Sequence, residues 1–142
     1  MWIAYALELF FWAILVLFTY VALRYGGKPE RVGWAIIFIG SIASALIVSD
    51  STHRFRHTEY WMMFADSAIL VALLLQTARS RRFWPEWVSS FQAITVMTHF
   101  ANFFAPATLP TAYSIMQGFW VYPMMISIML GAYGHQRSRT MS

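Results

Sequence analysis

The sequence predicts an all-helical integral membrane protein, a compact bundle of about five transmembrane helices. Of its 142 residues, 59% are hydrophobic and 11% are charged, whereas a soluble domain has about 25% charged residues. Five stretches approach the roughly 20 apolar residues that a helix needs to cross a hydrocarbon core. None of them alternates polar and apolar residues as a membrane β-strand does. We therefore expect a single transmembrane domain over residues 1–142, with no soluble domain.

The first two predicted spans cover residues 2–23 and 32–49. The first is apolar almost throughout and ends before Arg24. Gly26, Gly27 and Pro29 then mark a turn, because these residues interrupt regular helices. The second span ends before Asp50, so the connection between the two spans is short.

The remaining spans are predicted over residues 60–78, 86–104 and 110–133. The third begins at an aromatic pair and ends before Arg79. The fourth follows Pro85, which is favoured in the first turn of a helix. The fifth begins at Pro110, and Pro123 within it predicts a kink because proline removes a backbone donor.

Basic residues distinguish the two sides of the predicted bundle. Eight of the ten lysines and arginines follow the first, third and fifth spans. They are Arg24, Lys28, Arg31, Arg79, Arg81, Arg82, Arg137 and Arg139. Arg54 and Arg56 fall on the opposite side. Because cytoplasmic loops are enriched in basic residues, we expect the N-terminus outside, the C-terminus in the cytoplasm, and a location in the cell inner membrane.

Five polar side chains are predicted at one depth in the outer leaflet. Counting inward from the outer end of each span places them about 9 to 11 Å below the surface. They are Glu8, Ser44, Asp66, His99 and Gln117. Ionisable residues within a span usually face the bundle interior or a water-filled cavity. Two interpretations stay open: a site for a proton, cation or small ligand, or buried pairs that fix helix register.

The fourth span carries a polar stripe. Its residues follow one another at spacings of three, three, four and three, which places them on one helix face. They are Ser89, Gln92, Thr95, His99 and Asn102. Such a stripe could line a hydrated path. It could equally provide interhelical hydrogen bonds, each contributing about 0.6 kcal/mol in membrane proteins.

A histidine cluster lies between the second and third spans. Asp50, His53, His57 and Glu59 could together hold a divalent transition metal, because two histidines four residues apart share a helix face. The favoured interpretation is an interfacial loop in which the histidines and the neighbouring Arg54 and Arg56 contact lipid headgroups. Haem is disfavoured, since His99 is the only histidine inside a predicted span. The cofactor is thus left unassigned, with a divalent metal as the open alternative.

Two further groups of residues suggest contacts at the membrane and between helices. Three arginines and two tryptophans are typical of an inner-leaflet anchor that attracts anionic lipid: Arg79, Arg81, Arg82, Trp84 and Trp87. Gly40 and Ser44 give the second span a small-residue face, suited to packing inside the bundle or against another copy.

The favoured function is binding or passage of a proton, cation or small ligand at an intramembrane polar site. The candidate residues are Asp66, His99, Gln92, Asn102, Glu8 and Gln117. The expected partners are the lipid bilayer and further copies of the chain or another membrane protein, and nucleic acid is not expected. Two alternatives are a non-catalytic accessory subunit of a larger complex and a metalloprotein or enzyme that uses His53 and His57. No catalytic residue is predicted.

Overall fold

A computed structural model describes residues 2–49, 55–104 and 118–141, without the side chains of residues 4, 48–49, 55–59 and 102–103. It contains five long helices: α1 (Trp2–Tyr25), α2 (Lys28–Ser49), α3 (Phe55–Arg79), α4 (Trp84–Phe104) and α5 (Val121–Thr140). The prediction of an all-helical chain is confirmed for the residues described.

Three of the described helices are long and apolar enough to cross a membrane. The qualifying segments are Tyr5–Tyr25 in α1, Lys28–Ile47 in α2 and Tyr60–Arg79 in α3. The other two helices have about the required length, but α4 carries the polar stripe and the end of α5 is polar. By length and composition, these three helices suit a membrane, and a bundle of five spans stays a prediction.

Helix α5 continues to Thr140, seven residues past the end expected at residue 133. Its last turn carries Arg137 and Arg139, whose charges suit the negative end of the helix dipole. The Ser138 and Thr140 hydroxyls also donate to carbonyls within the helix. Basic and polar residues in this position prolong the helix instead of ending it. The predicted start of the fifth span, at residue 110, lies outside the described residues.

The helices pack in chain order, and α5 closes the bundle against α1, α2 and α4. Large apolar side chains fill the interior, where Phe18, Leu73, Met125 and Ile128 are fully buried. Gly40 of α2 is also buried, and a Cβ atom there would lie 2.5 Å from Ile69 Cδ1 of α3. The small-residue face of α2 therefore packs inside the bundle at this position.

The α1–α2 turn, the α3–α4 turn and the last turns of α5 meet at one end of the bundle. His135 of α5 contacts both Arg82 of the α3–α4 turn and the surroundings of Gly27 in the α1–α2 turn. We call this region, defined by Gly27, Glu30, Arg82, Trp84 and His135, the basic end. The α1–α2 turn, the α3–α4 turn and the end of α5 carry the positive charges from which the orientation in the membrane was predicted, and here they lie together.

Candidate functional site

Asp66 of α3 and His99 of α4 form a buried ion-pairing contact. His99 Nε2 lies 2.8 Å from Asp66 Oδ2, and 3% of the His99 side chain and 14% of the Asp66 side chain are exposed. An ionisable pair enclosed to this degree is well screened from solvent, so each group depends on its protein partners for stabilisation. The pair lies between two adjacent helices and is the centre of the candidate site.

Gln92 orients the Asp66 carboxylate. Its Nε2 donates to the Asp66 backbone carbonyl at 3.0 Å and to Asp66 Oδ1 at 3.2 Å. Gln92 and His99 are seven residues apart, about two helical turns, so both project from α4 toward the same part of α3. Because Gln92 binds Oδ1, the other carboxylate oxygen is directed at His99.

The Asp66–His99 contact is compatible with two protonation levels. With one shared proton, an ionised Asp66 accepts from the Nε2–H of a neutral imidazole. A second proton makes the imidazole cationic and leaves the same hydrogen bond in place. The pair can therefore take up a proton, changing its net charge from minus one to zero, without losing its geometry.

The other candidate residues are distributed less closely. Glu8 is exposed on α1 and forms no ion pair or hydrogen bond with any residue that the structure describes. Ser44 is half-buried on α2. Gln117 and the Asn102 side chain lie outside the described residues. The structure thus brings Asp66, Gln92 and His99 into contact and leaves Glu8 apart from them.

The predicted metal ligands cannot be placed. Asp50 and His53 lie outside the described residues, as do the side chains of His57 and Glu59. Elsewhere, over residues 2–49, 60–101 and 118–141, no three acidic or histidine side chains form a group that could hold a metal ion.

The polar stripe on α4 is buried at Ser89, Gln92, Thr95 and His99. Ser89 Oγ lies 2.9 Å from Thr77 Oγ1 of α3, which extends the polar contacts of the α3–α4 interface toward the basic end. Thr95 Oγ1 donates to the Phe91 carbonyl of its own helix instead. The stripe therefore combines interhelical contacts with one local hydrogen bond.

A second polar cluster, not predicted from the sequence, lies at the basic end. The Glu30 side chain is fully buried, and it accepts from Trp84 Nε1 and from the Gly27 backbone N–H, each at 2.9 Å. Glu30 is the third residue of α2, where a glutamate reaches back to cap the helix N-terminus. Arg82 Nε lies 3.9 Å from Glu30 Oε1 and supplies the counter-charge.

Trp84 is enclosed by two glycines from different helices. A Cβ atom at Gly33 of α2 would lie 2.5 Å from the Trp84 ring, and one at Gly131 of α5 would overlap the same ring. The indole is fully buried. The prediction of a lipid-facing anchor is wrong for Trp84 and Arg82: Trp84 is in the core, and Arg82 is directed at Glu30 and His135.

Replacing Gly131 with alanine is expected to lower the free energy of unfolding by about 1–3 kcal/mol, because the added methyl group meets a rigid, enclosed ring. Thermal unfolding in detergent measures this change. Gly134→Ala is the matched control: it lies on the same helix with nothing within 4 Å of the new atom. That control should be neutral or stabilising by up to about 1 kcal/mol. Equal losses in both variants would contradict the close packing at Gly131.

Comparison with known proteins gives no relative for this chain: no protein family, curated protein or solved structure matches it. The functional interpretation therefore depends on the geometry of the site alone.

Proposed function

We propose that the chain is a small multi-pass inner-membrane protein that binds or passes a proton at the Asp66–His99 pair. Another cation or a small ligand is the alternative occupant of the same site. The proposed topology has five spans, with the N-terminus outside and the basic end in the cytoplasm. Asn102, Gln117 and Glu8 remain proposed contributors from the outer half of the bundle.

The observation that supports this proposal best is the buried 2.8 Å contact between Asp66 and His99. Histidine changes charge near neutral pH, and a partner carboxylate lets the pair keep its hydrogen bond at both protonation levels. The Gln92 hydrogen bond to Oδ1 orients the carboxylate toward His99. Ionisable residues inside membrane helices commonly belong to proton or ion pathways.

Proton flux into proteoliposomes tests the proposal. Purified protein is reconstituted into vesicles that contain a pH-sensitive dye, and a potassium diffusion potential drives protons inward. We expect acidification above that of protein-free vesicles. His99→Gln should reduce it to the protein-free level, because the amide can still donate to Asp66 Oδ2 but cannot take up a proton.

Glu86→Gln is the matched control for this assay. It removes an exposed carboxylate from the first turn of α4, the helix that carries His99, so the flux should stay near that of the wild type. Wild-type flux no greater than that of protein-free vesicles would overturn proton passage and favour the accessory-subunit interpretation. Full flux through His99→Gln would show that the Asp66–His99 pair is structural.

The oligomeric state is also a proposal. Five short helices enclose little volume, so we propose that copies of the chain assemble, or that the bundle joins another membrane protein. Native mass spectrometry from lipid nanodiscs would measure the number of copies. Metal analysis of the same sample tests the remaining alternative, since a stoichiometric transition metal would favour a site at His53 and His57.

A further inference from the structure

We propose that His135 is a second proton-binding site, at the basic end, and that proton uptake there releases the last turns of α5 from the bundle. His135 is half-buried, and its Nδ1 lies 2.8 Å from Arg82 Nη2. This contact joins α5 to the turn between α3 and α4. Release of the last turns of α5 needs no proton flux through Asp66 and His99, so the two proposals can fail separately.

The hydrogen bond between Arg82 and His135 fixes where the imidazole proton lies. A guanidinium has only donors, so Nδ1 must accept with its lone pair and the ring hydrogen must be on Nε2. A proton added at Nδ1 occupies that lone pair. The hydrogen bond then has two donors and no acceptor, and two cations stand in contact. Unlike the Asp66–His99 contact, this one exists at a single protonation level.

Two charged groups face the His135 ring from different sides. Arg82 contacts Nδ1 and favours separation of these two side chains after protonation. Glu30 Oε2 faces Nε2: these atoms lie 3.1 Å and 3.0 Å from the position that a Cβ atom at Gly27 would take. Glu30 is the acidic group of the cluster, and both its oxygens already accept hydrogen bonds from Trp84 and Gly27. Arg82 Nε is 3.9 Å from Glu30, so a released guanidinium can move closer to that carboxylate. On α5 itself, Arg137 and Arg139 follow His135 in the last turn of the helix. Protonated His135 therefore gains a repulsive neighbour in Arg82 and loses its hydrogen bond to it.

His135 lies at the boundary between the enclosed part of α5 and its exposed end. Ala132 is buried and His135 is half-buried, whereas residues 136–141 are exposed. His135 is thus the last described residue of α5 that the bundle partly encloses. Loss of its contact with Arg82 leaves the helix anchored one turn earlier, at Gly131 and Ala132.

A spin label at residue 138 tests this release. The chain contains no cysteine, so Ser138→Cys provides a unique attachment point on the exposed end of α5. In nanodiscs, the mobility of the label is recorded by electron paramagnetic resonance from about pH 8 to about pH 5, the range in which histidine changes charge. We expect mobility to rise as the pH falls.

Three substitutions, each added to Ser138→Cys, test whether the Arg82–His135 contact causes the change in label mobility. His135→Asn places an amide oxygen near the position of Nδ1 and keeps an acceptor for Arg82, so the label should stay immobile at both pH values. Arg137→Gln removes an exposed base two residues away, so label mobility should depend on pH as it does in Ser138→Cys alone. Arg82→Gln should be mobile at both pH values, which keeps the proposal testable if His135→Asn does not fold. Three results would each overturn the proposal: label mobility in Ser138→Cys alone that does not change with pH, mobility in His135→Asn that rises as the pH falls, or an immobile label in Arg82→Gln.

Discussion

Replacing Trp84 with alanine is expected to lower the free energy of unfolding by about 3–5 kcal/mol, the range for truncating a fully buried aromatic residue. The indole fills the space between Gly33 and Gly131, so its loss opens a cavity between α2 and α5. It also removes the N–H that binds the buried Glu30 carboxylate. Thermal or denaturant unfolding in detergent measures the change.

Trp87→Ala is the matched control, because Trp87 lies one turn further along α4 and is 58% exposed. Its loss should change the stability far less than the loss of Trp84. Trp84→Phe separates packing from hydrogen bonding: it retains most of the ring but leaves Glu30 without one donor, at a cost of about 1–3 kcal/mol. Similar stability of the Trp84→Ala and Trp87→Ala proteins would contradict the enclosed position of Trp84.

The second large effect concerns the Asp66–His99 pair, for which the single substitution should destabilise the protein far more than the double substitution. His99→Leu is expected to destabilise the protein by about 3–5 kcal/mol, because it leaves the Asp66 carboxylate buried without its partner. The double substitution Asp66→Leu with His99→Leu should restore most of that stability, since apolar replacement of a whole buried pair is often neutral or stabilising. Both proteins should lose proton flux.

Measuring stability and flux on the same samples separates structure from function at this site. A purely structural pair would give a stable double variant with unchanged flux. A proton-binding pair would give a stable double variant with none. If the double variant is as unstable as His99→Leu, the destabilisation does not come from the unpaired Asp66 carboxylate.

The sequence was sufficient to predict the helices and part of the site. Long apolar segments and glycine or proline turns identify helices by local rules. Helices α1 to α4 end within two residues of the predicted spans, whereas α2 and α3 begin at Lys28 and Phe55, ahead of the predicted starts at residues 32 and 60. The stripe containing Gln92 and His99 followed from helical spacing alone. Their approach to Asp66 follows because a short connection makes α3 and α4 neighbours.

The basic end could not be predicted in the same way. Glu30 lies between Lys28 and Arg31 in the first turn of α2, a position at which a glutamate commonly caps a helix. It is buried because Trp84 and Arg82 from one distant segment and His135 from another are brought against it by tertiary packing. No local periodicity links residues separated by more than fifty positions. Pairs of glycines that flank a ring on different helices leave no pattern along the chain either.

The enclosure of Trp84 also imposes an order on assembly. Gly33, Glu30 and Trp84 all belong to the first four helices, which leave the ribosome before α5 and can pack together first. Before Gly131 packs against it, one face of the Trp84 indole has no covering helix. The bundle of α1 to α4 therefore presents a flat aromatic surface next to the Glu30 carboxylate. Helix α5 covers this surface when Gly131 packs against the ring. Helix α5, which follows the other four in the chain, thus acts as the closing element of the fold.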